Sequence, residues 1–149
     1  MSGSVAAGRV DTVTCTHCGA RNRLPAAKAG VPRCGRCHNP LPWLTTAGDD
    51  DFDQVVTNAT LPVLLDMWAP WCMPCRIVEP GIVRAAKTFA GDLKVVKVNV
   101  DEAPKVADRL AARSIPMLLI LQNGKERGKQ VGALGPDALQ KWIEGVMAS

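Results

Sequence analysis

The chain has 149 residues, 47% hydrophobic and 21% charged, which is typical of a folded globular protein and excludes a disordered or collagen-like one. Its net charge is +4, and the basic excess lies in residues 1–44. The longest apolar runs are well short of the ~20 residues of a membrane span, and residues 1–14 lack a secretory signal. We therefore expect no membrane association and a cytoplasmic location, where six cysteines suggest metal or redox chemistry rather than structural disulfides.

The first 40 residues show no sustained helical or strand periodicity and are interrupted by prolines and glycines. They contain two Cys-x-x-Cys pairs whose spacing matches four-cysteine zinc sites. The pairs are Cys15 with Cys18, and Cys34 with Cys37. We predict a flexible terminus at 1–12 and a ribbon at 13–40, in which one structural zinc ion replaces the apolar core that so short a segment cannot build.

Alternatives to this zinc ribbon remain open. His17 and His38 lie beside the cysteines, although four sulfurs already complete a tetrahedral site. Two structural disulfides would also use all four cysteines, but a reducing compartment disfavours them. Clustered arginines allow contact with nucleic acid, which we consider less favoured because the charges are few and no aromatic platform accompanies them.

After residue 40, helix and strand patterns alternate. The elements expected, in chain order, are a short strand at 43–46, a helix from Phe52, a buried strand at 62–68, a helix from the third cysteine pair to about Ala90 containing Pro80, a strand at 93–100, a helix at 104–113, a strand at 116–122, a turn at Asn123 and Gly124, a strand at 126–133 and a helix after Pro136. This order predicts an α/β domain at 41–149 with an antiparallel hairpin at one edge of its sheet.

The third pair, Cys72 and Cys75, stands between a buried strand and a helix. Positions i and i+3 of a first helical turn lie close enough for a disulfide to open and close with little backbone movement. Unpaired N–H groups at the helix start favour a thiolate at Cys72, and Pro74 suits a first turn because it lacks an N–H. The alternatives are two inert core cysteines or a metal-carrying pair.

At these residues the chain resembles the thioredoxin family. The matching segments are VLLDMWAPWCMPC at 63–75, KVNVD at 97–101, SIPM at 114–117, NGK at 123–125 and VGAL at 131–134. The resemblance implies the thioredoxin fold and a reductase of protein disulfides, with Cys72 as nucleophile and Cys75 as resolving thiol. It also implies disulfide-containing proteins and thioredoxin reductase as partners, and we expect a monomer. With the ribbon, the resemblance extends to the second, zinc-containing bacterial type.

Asp66 is the one charged residue in an otherwise apolar strand. A buried carboxylate is unfavourable unless it is paired, and its pKa should rise into a range useful for proton transfer. The family resemblance implies that Asp66 accepts the proton of Cys75 and that Lys97 is its partner. The alternatives are a solvated strand-edge carboxylate and an ordinary solvated lysine.

The resemblance also implies a substrate groove. Its residues would be Trp71, Met73, Pro74, Ile115, Pro116 and Gly132. An X-Pro bond is usually trans, but the family pattern implies a cis bond before Pro116. Met73 departs from that pattern, in which glycine occupies this position, and we expect it to affect the reduction potential and the fit of partners.

Overall fold

The computed structural model describes residues 8–149. Its N-terminal sheet is a hairpin of two strands. Strand β1 (Val10–Thr14) pairs antiparallel with β2 (Arg21–Pro25). This revises the start of the ribbon, because residues 10–12 belong to β1 and not to a flexible terminus. Four of the five residues of β1 are β-branched, which favours an extended strand. The rest of the predicted flexible terminus, residues 1–7, lies outside the described residues.

A five-stranded mixed sheet forms the centre of the larger domain. Its strands are β3 (Leu44–Thr46), β4 (Val63–Trp68), β5 (Lys94–Asn99), β6 (Met117–Gln122) and β7 (Lys125–Val131). The order across the sheet is β3-β5-β4-β6-β7. Strands β3, β5 and β4 are parallel to one another, and β6 is antiparallel to both of its neighbours, β4 and β7. The predicted antiparallel hairpin at one edge is therefore confirmed, and β4 lies at the centre of the sheet.

Helices cover both faces of this sheet. They are a short π-helix at Asp53–Thr57, α1 (Met73–Thr88), α2 (Pro104–Arg109) and α3 (Pro136–Ala148). Alternation along β4 sends Leu65 toward the face covered by the π-helix and α2, and Leu64 toward the face covered by α1 and α3. Asp66 shares the second face, which places it beneath α1. No described helix has the length and apolar character needed to cross a bilayer.

Helix α2 and strand β7 end earlier than their sequence patterns predict. Helix α2 ends at Arg109 instead of residue 113, because Ala111 adopts the left-handed conformation with φ of 54°. Strand β7 ends at Val131, and Gly132 has φ of 101°, a conformation that glycine adopts without a Cβ penalty. Each element thus ends within two residues of a single residue of positive φ, which cannot be predicted from apolar periodicity.

A buried lysine joins the ribbon to the larger domain. Lys94 is 0% exposed, and its Nζ donates hydrogen bonds to the carbonyl oxygens of Ala26, at 2.5 Å, and Val55, at 2.6 Å. The ammonium also lies 4.3 Å from the ring centroid of Trp43. Burial lowers the pKa of Lys94 to about 8, so the group is still largely charged at neutral pH. Since an unpaired buried charge is strongly unfavourable, these contacts fix the position of Ala26 against the core.

Candidate active site and metal centre

Cys72 and Cys75 form a disulfide where the chain turns from β4 into α1. Their Cα atoms are 5.3 Å apart. Cys72 is the N-cap of α1, with extended backbone angles, and its Sγ accepts a hydrogen bond from the Cys75 N–H at 3.2 Å. Pro74 occupies the first turn, where a missing N–H leaves no helical bond unmade. When the pair is reduced, the N–H groups at this helix start favour a thiolate at Cys72.

A second backbone segment faces the disulfide from the start of β6. The Ile115–Pro116 peptide bond is cis, as expected. The Cys72 Sγ lies 3.8 Å from the Ile115 carbonyl oxygen. The Gly132 N–H donates to the Pro116 carbonyl at 3.0 Å, which joins the start of β6 to the end of β7. Three of the six predicted groove residues, Ile115, Pro116 and Gly132, thus lie together on the side of the site that faces Cys72.

Large apolar side chains surround the site at the surface. Trp71 is 66% exposed and Met73 is 68% exposed. The Trp71 Nε1–H donates to Asp101 at 2.9 Å, which fixes the indole beside the disulfide. Ile77, 58% exposed, was not predicted as a groove residue. It lies one helical turn after Met73, a spacing that the sequence already contains. This apolar rim offers contact area to an extended partner chain.

Asp66 is buried beneath α1, as its place in the apolar strand predicts. Asp66 is 2% exposed, and its Oδ1 has no hydrogen-bond partner within residues 8–149. Burial raises the pKa of the Asp66 carboxyl to about 7, against the opposing effect of the Lys97 charge. The alternative of a solvated strand-edge carboxylate is therefore wrong. A carboxyl with this pKa exchanges protons readily near neutral pH.

Lys97 binds a carboxylate other than the one expected. It lies opposite Asp66 on the neighbouring strand, but its Nζ pairs with the Glu79 Oε1 at 2.5 Å. Its ammonium also lies 4.5 Å from the ring centroid of Trp68. Lys97 is thus near Asp66 and lowers its pKa without a hydrogen bond to it. Glu79 was not predicted as a site residue, although it is four residues after Cys75 and on the same helix face.

The four cysteines of the ribbon converge on one point. The Sγ atoms of Cys15, Cys18, Cys34 and Cys37 all lie within 4.8 Å of one another. Two of the separations are 3.5 Å, between Cys15 and Cys37, and 3.6 Å, between Cys18 and Cys34. Four sulfurs at 2.3 Å from a tetrahedral zinc ion would be about 3.8 Å apart. The donor set therefore fits Zn²⁺, and neither histidine belongs to the cluster.

Hydrogen bonds to sulfur favour thiolates at two of the four cysteines, Cys34 and Cys37, whereas at Cys18, against the lowering effect of the Ala20 backbone N–H, burial and the other three cysteines raise the pKa to about 11. Backbone N–H groups of Cys37 and Arg36 lower the pKa of Cys34 to about 5. The backbone and side-chain N–H groups of Asn39 lower the pKa of Cys37. Since thiolates rather than thiols bind zinc, the surrounding amides prepare the site for a metal ion.

Comparison with known proteins agrees with this geometry. The thioredoxin family model matches residues 42–145. The chain belongs to the thioredoxin family. The model of the N-terminal region of thioredoxin 2 matches residues 14–39, which contain all four clustered cysteines. The fold of this thioredoxin is therefore the mixed α/β sheet of the family preceded by a zinc-ribbon domain, and Cys72 and Cys75 occupy the active-site position of a protein-disulfide reductase.

Individual relatives extend the comparison. Thioredoxin C-3 of Corynebacterium nephridii is 34% identical over 89% of this chain and 92% of its own length. A thioredoxin of Haemophilus influenzae is 45% identical over 64% of this chain and 89% of its own length. Thioredoxin 1 of a Nostoc strain is 45% identical over 64% of this chain and 90% of its own length. The first alignment is long enough to include part of the ribbon, whereas the other two, over 95 and 96 residues, are shorter than the domain at 41–149.

The buried carboxyl should give this thioredoxin a specific pH dependence of stability. The folded-state pKa of Asp66, about 7, lies above its ordinary value of 3.8. The folded chain therefore holds a proton that the unfolded chain loses, and the free energy of unfolding falls between about pH 4 and 7 by up to about 4 kcal/mol. Asp66→Asn removes this fall, so the variant should gain stability relative to the wild type as pH rises.

Urea denaturation of the oxidised chain at pH 5 and pH 8 measures this difference. Asp108→Asn is the matched control, because Asp108 is exposed and far along α2. If the free energies of unfolding of Asp66→Asn and Asp108→Asn changed with pH in the same way, Asp66 would not carry an unfavourable buried charge.

Proposed function

We propose that this thioredoxin reduces protein disulfides in the cytoplasm, that a flavin-dependent thioredoxin reductase recharges it, and that one structural zinc ion holds its ribbon. The observation that supports the proposal most strongly is the Cys72–Cys75 disulfide at the start of α1, beside the cis proline and an exposed apolar rim. Insulin disulfide reduction tests it, first with dithiothreitol and then with NADPH and a thioredoxin reductase as the electron source.

The first chemical step belongs to Cys72. Its thiolate attacks one sulfur of a substrate disulfide, forms a mixed disulfide and releases the other substrate sulfur as a thiolate, which takes a proton from water. The helix start supports this role, because its N–H groups stabilise negative charge at the N-cap sulfur. Cys72 rather than Cys75 lies beside the Ile115 carbonyl, where an extended substrate chain can pair with the backbone.

Cys75 resolves the mixed disulfide. The Asp66 carboxylate accepts the Cys75 S–H proton, and the new Cys75 thiolate attacks the Cys72 sulfur and expels the second substrate thiolate. The substrate has then gained two electrons, and the enzyme has become the disulfide seen here. Burial of Asp66 supports this step, since a carboxyl with pKa near 7 both accepts and returns a proton at neutral pH.

The rim and the groove would select substrates. Trp71, Met73 and Pro74 are exposed on one side of the disulfide, and Ile115, Pro116 and Gly132 lie on the other. Met73 adds apolar area beside the nucleophile where the family has glycine. We therefore expect the preferred partners to present apolar side chains near their disulfides.

Zinc would be structural in this thioredoxin. Cys15, Cys18, Cys34 and Cys37 would hold it, and a four-sulfur site leaves no position for substrate. When bound, the ion supplies cross-linking of the ribbon rather than redox chemistry. The arrangement of the thiols supports this role, because a segment this short orders its chain around the metal.

The two active-site cysteines should respond differently to substitution. Cys72→Ser removes the attacking sulfur and should abolish insulin reduction. Cys75→Ser leaves the attack intact but removes resolution, so it should accumulate covalent complexes with substrate proteins. Non-reducing electrophoresis followed by mass spectrometry detects these complexes. Their accumulation in Cys72→Ser but not in Cys75→Ser would reverse the assignment.

The ribbon should depend on zinc while the chemistry does not. We expect one zinc per chain, and Cys34→Ser or a chelator should unfold residues 13–40. The catalytic domain should keep most of its insulin reduction but lose stability, because Lys94 would no longer donate to Ala26. His17→Asn is the control and should retain zinc.

Metal analysis after purification without chelators, together with insulin assays of Cys34→Ser, checks both parts of this prediction. A chain without zinc, or the complete loss of reductase activity when residues 1–40 are deleted, would contradict it.

A further inference from the structure

The Lys97–Glu79 ion pair stands at the edge of a cavity that also reaches the resolving cysteine. The cavity has a volume of about 270 Å³, and Cys75, Glu79 and Lys97 are among its lining residues. This is room for several water molecules, each of which needs roughly 30 Å³. The ion pair, the resolving sulfur and solvent therefore share one space beneath the start of α1.

Lys97 has two carboxyl groups within reach and binds only one of them. It lies directly opposite Asp66 in the parallel pairing of β4 and β5, so the two backbones are about 4.8 Å apart. Nevertheless its Nζ contacts the Glu79 Oε1 at 2.5 Å, while the Asp66 Oδ1 has no partner in the part of the chain that is described. Without the Glu79 charge, this ammonium would be left with the Asp66 carboxyl, on which its charge already acts, as a partner on the neighbouring strand.

Among residues 8–149, the remaining neighbours provide no other hydrogen-bond partner for Glu79 or for the Asp66 Oδ1. Arg76, also on α1, donates to the Pro70 carbonyl at 3.1 Å and is an exposed lining residue of the same cavity. Strand β6 places the apolar Leu118 opposite Asp66. The charged groups that act on Asp66 within residues 8–149 are thus Lys97 from β5 and Glu79 from α1, with the cysteine thiols added when the site is reduced.

We propose that Glu79 is a positioning residue for thiol–disulfide exchange: by binding the Lys97 ammonium, it keeps that charge from pairing with Asp66 and leaves the Asp66 carboxyl able to accept the Cys75 proton. The inference rests on the proposed role of Asp66 in resolution. A paired Asp66 would be a weaker base, because a nearby ammonium stabilises its ionised form. Glu79 would therefore set the pH range in which Cys75 resolves the mixed disulfide.

Titration of Asp66 in the oxidised chain tests this directly, because neither active-site sulfur titrates there. The carboxyl carbon of Asp66 is followed by NMR and is assigned by its absence in Asp66→Asn. Glu79→Gln keeps the side-chain shape, removes the charge and should lower the Asp66 midpoint by about half a pH unit or more. Lys97→Met should raise the midpoint, and Glu126→Gln, an exposed glutamate on the β6–β7 hairpin, should leave it unchanged.

The double variant separates positioning from direct repulsion. If Glu79 acts by holding Lys97, the shift caused by Glu79→Gln should become less than half as large in the Lys97→Met background. The pH profile of insulin reduction should move to lower pH in Glu79→Gln as well. Glu79→Asp should give an Asp66 midpoint between those of the wild type and Glu79→Gln, since it preserves the charge on a shorter side chain.

An Asp66 midpoint in Glu79→Gln equal to that in Glu126→Gln would overturn the inference. An equally large shift with and without Lys97 would also overturn it, because Glu79 would then act on Asp66 by repulsion alone. The titration needs no turnover, so its failure is distinct from a failure of the proposed function, which would appear as a wild-type protein that does not reduce insulin.

Discussion

The burial of one carboxyl group, that of Asp66, is the constraint on which the site depends. It lies in the central strand of the sheet, beneath the helix that begins at the disulfide, and one of its oxygens has no partner among the residues described. Such a group destabilises the fold when it ionises. The sheet holds it in place because β5 and β6 flank β4 on both sides. The same burial gives the carboxyl a pKa near neutrality, which the proposed proton transfer to and from Cys75 requires.

Two lysines of β5 make contacts on opposite faces of the sheet, one with the ribbon and one with the active-site helix. Lys94 and Lys97 are three residues apart, so alternation sends their side chains to opposite faces of the sheet. Lys94 reaches the Ala26 carbonyl and fixes the ribbon, whereas Lys97 reaches Glu79 beside the active site. Each ammonium is also placed over a tryptophan ring. The hydrogen bond from Lys94 to Ala26 thus attaches the ribbon to the catalytic domain on the face of the sheet opposite the redox centre.

The order of elements in the larger fold and the position of the disulfide could be predicted from local sequence. Cys72 and Cys75 stand between an apolar strand and a helix, and this context favours a disulfide at a helix start over two inert core cysteines or a metal-carrying pair. The partners of Lys94 and Lys97 could not be predicted in this way, because Ala26 and Glu79 come from distant segments that only the folded chain brings together. Strand β1 was missed because its sequence, VDTVT, has its two apolar residues three positions apart and so shows no alternation of apolar and polar residues.

The rate of the resolving step as a function of pH tests the central role of Asp66 most directly. In a stopped-flow experiment, reduced protein is mixed with an excess of a chromogenic aromatic disulfide, and the second, concentration-independent release of chromogenic thiol reports the attack of Cys75 on Cys72. We expect this rate to show an inflection near pH 7 in the wild type, and to be slower and without that inflection in Asp66→Asn. Identical rates and pH profiles in the two proteins would contradict the account.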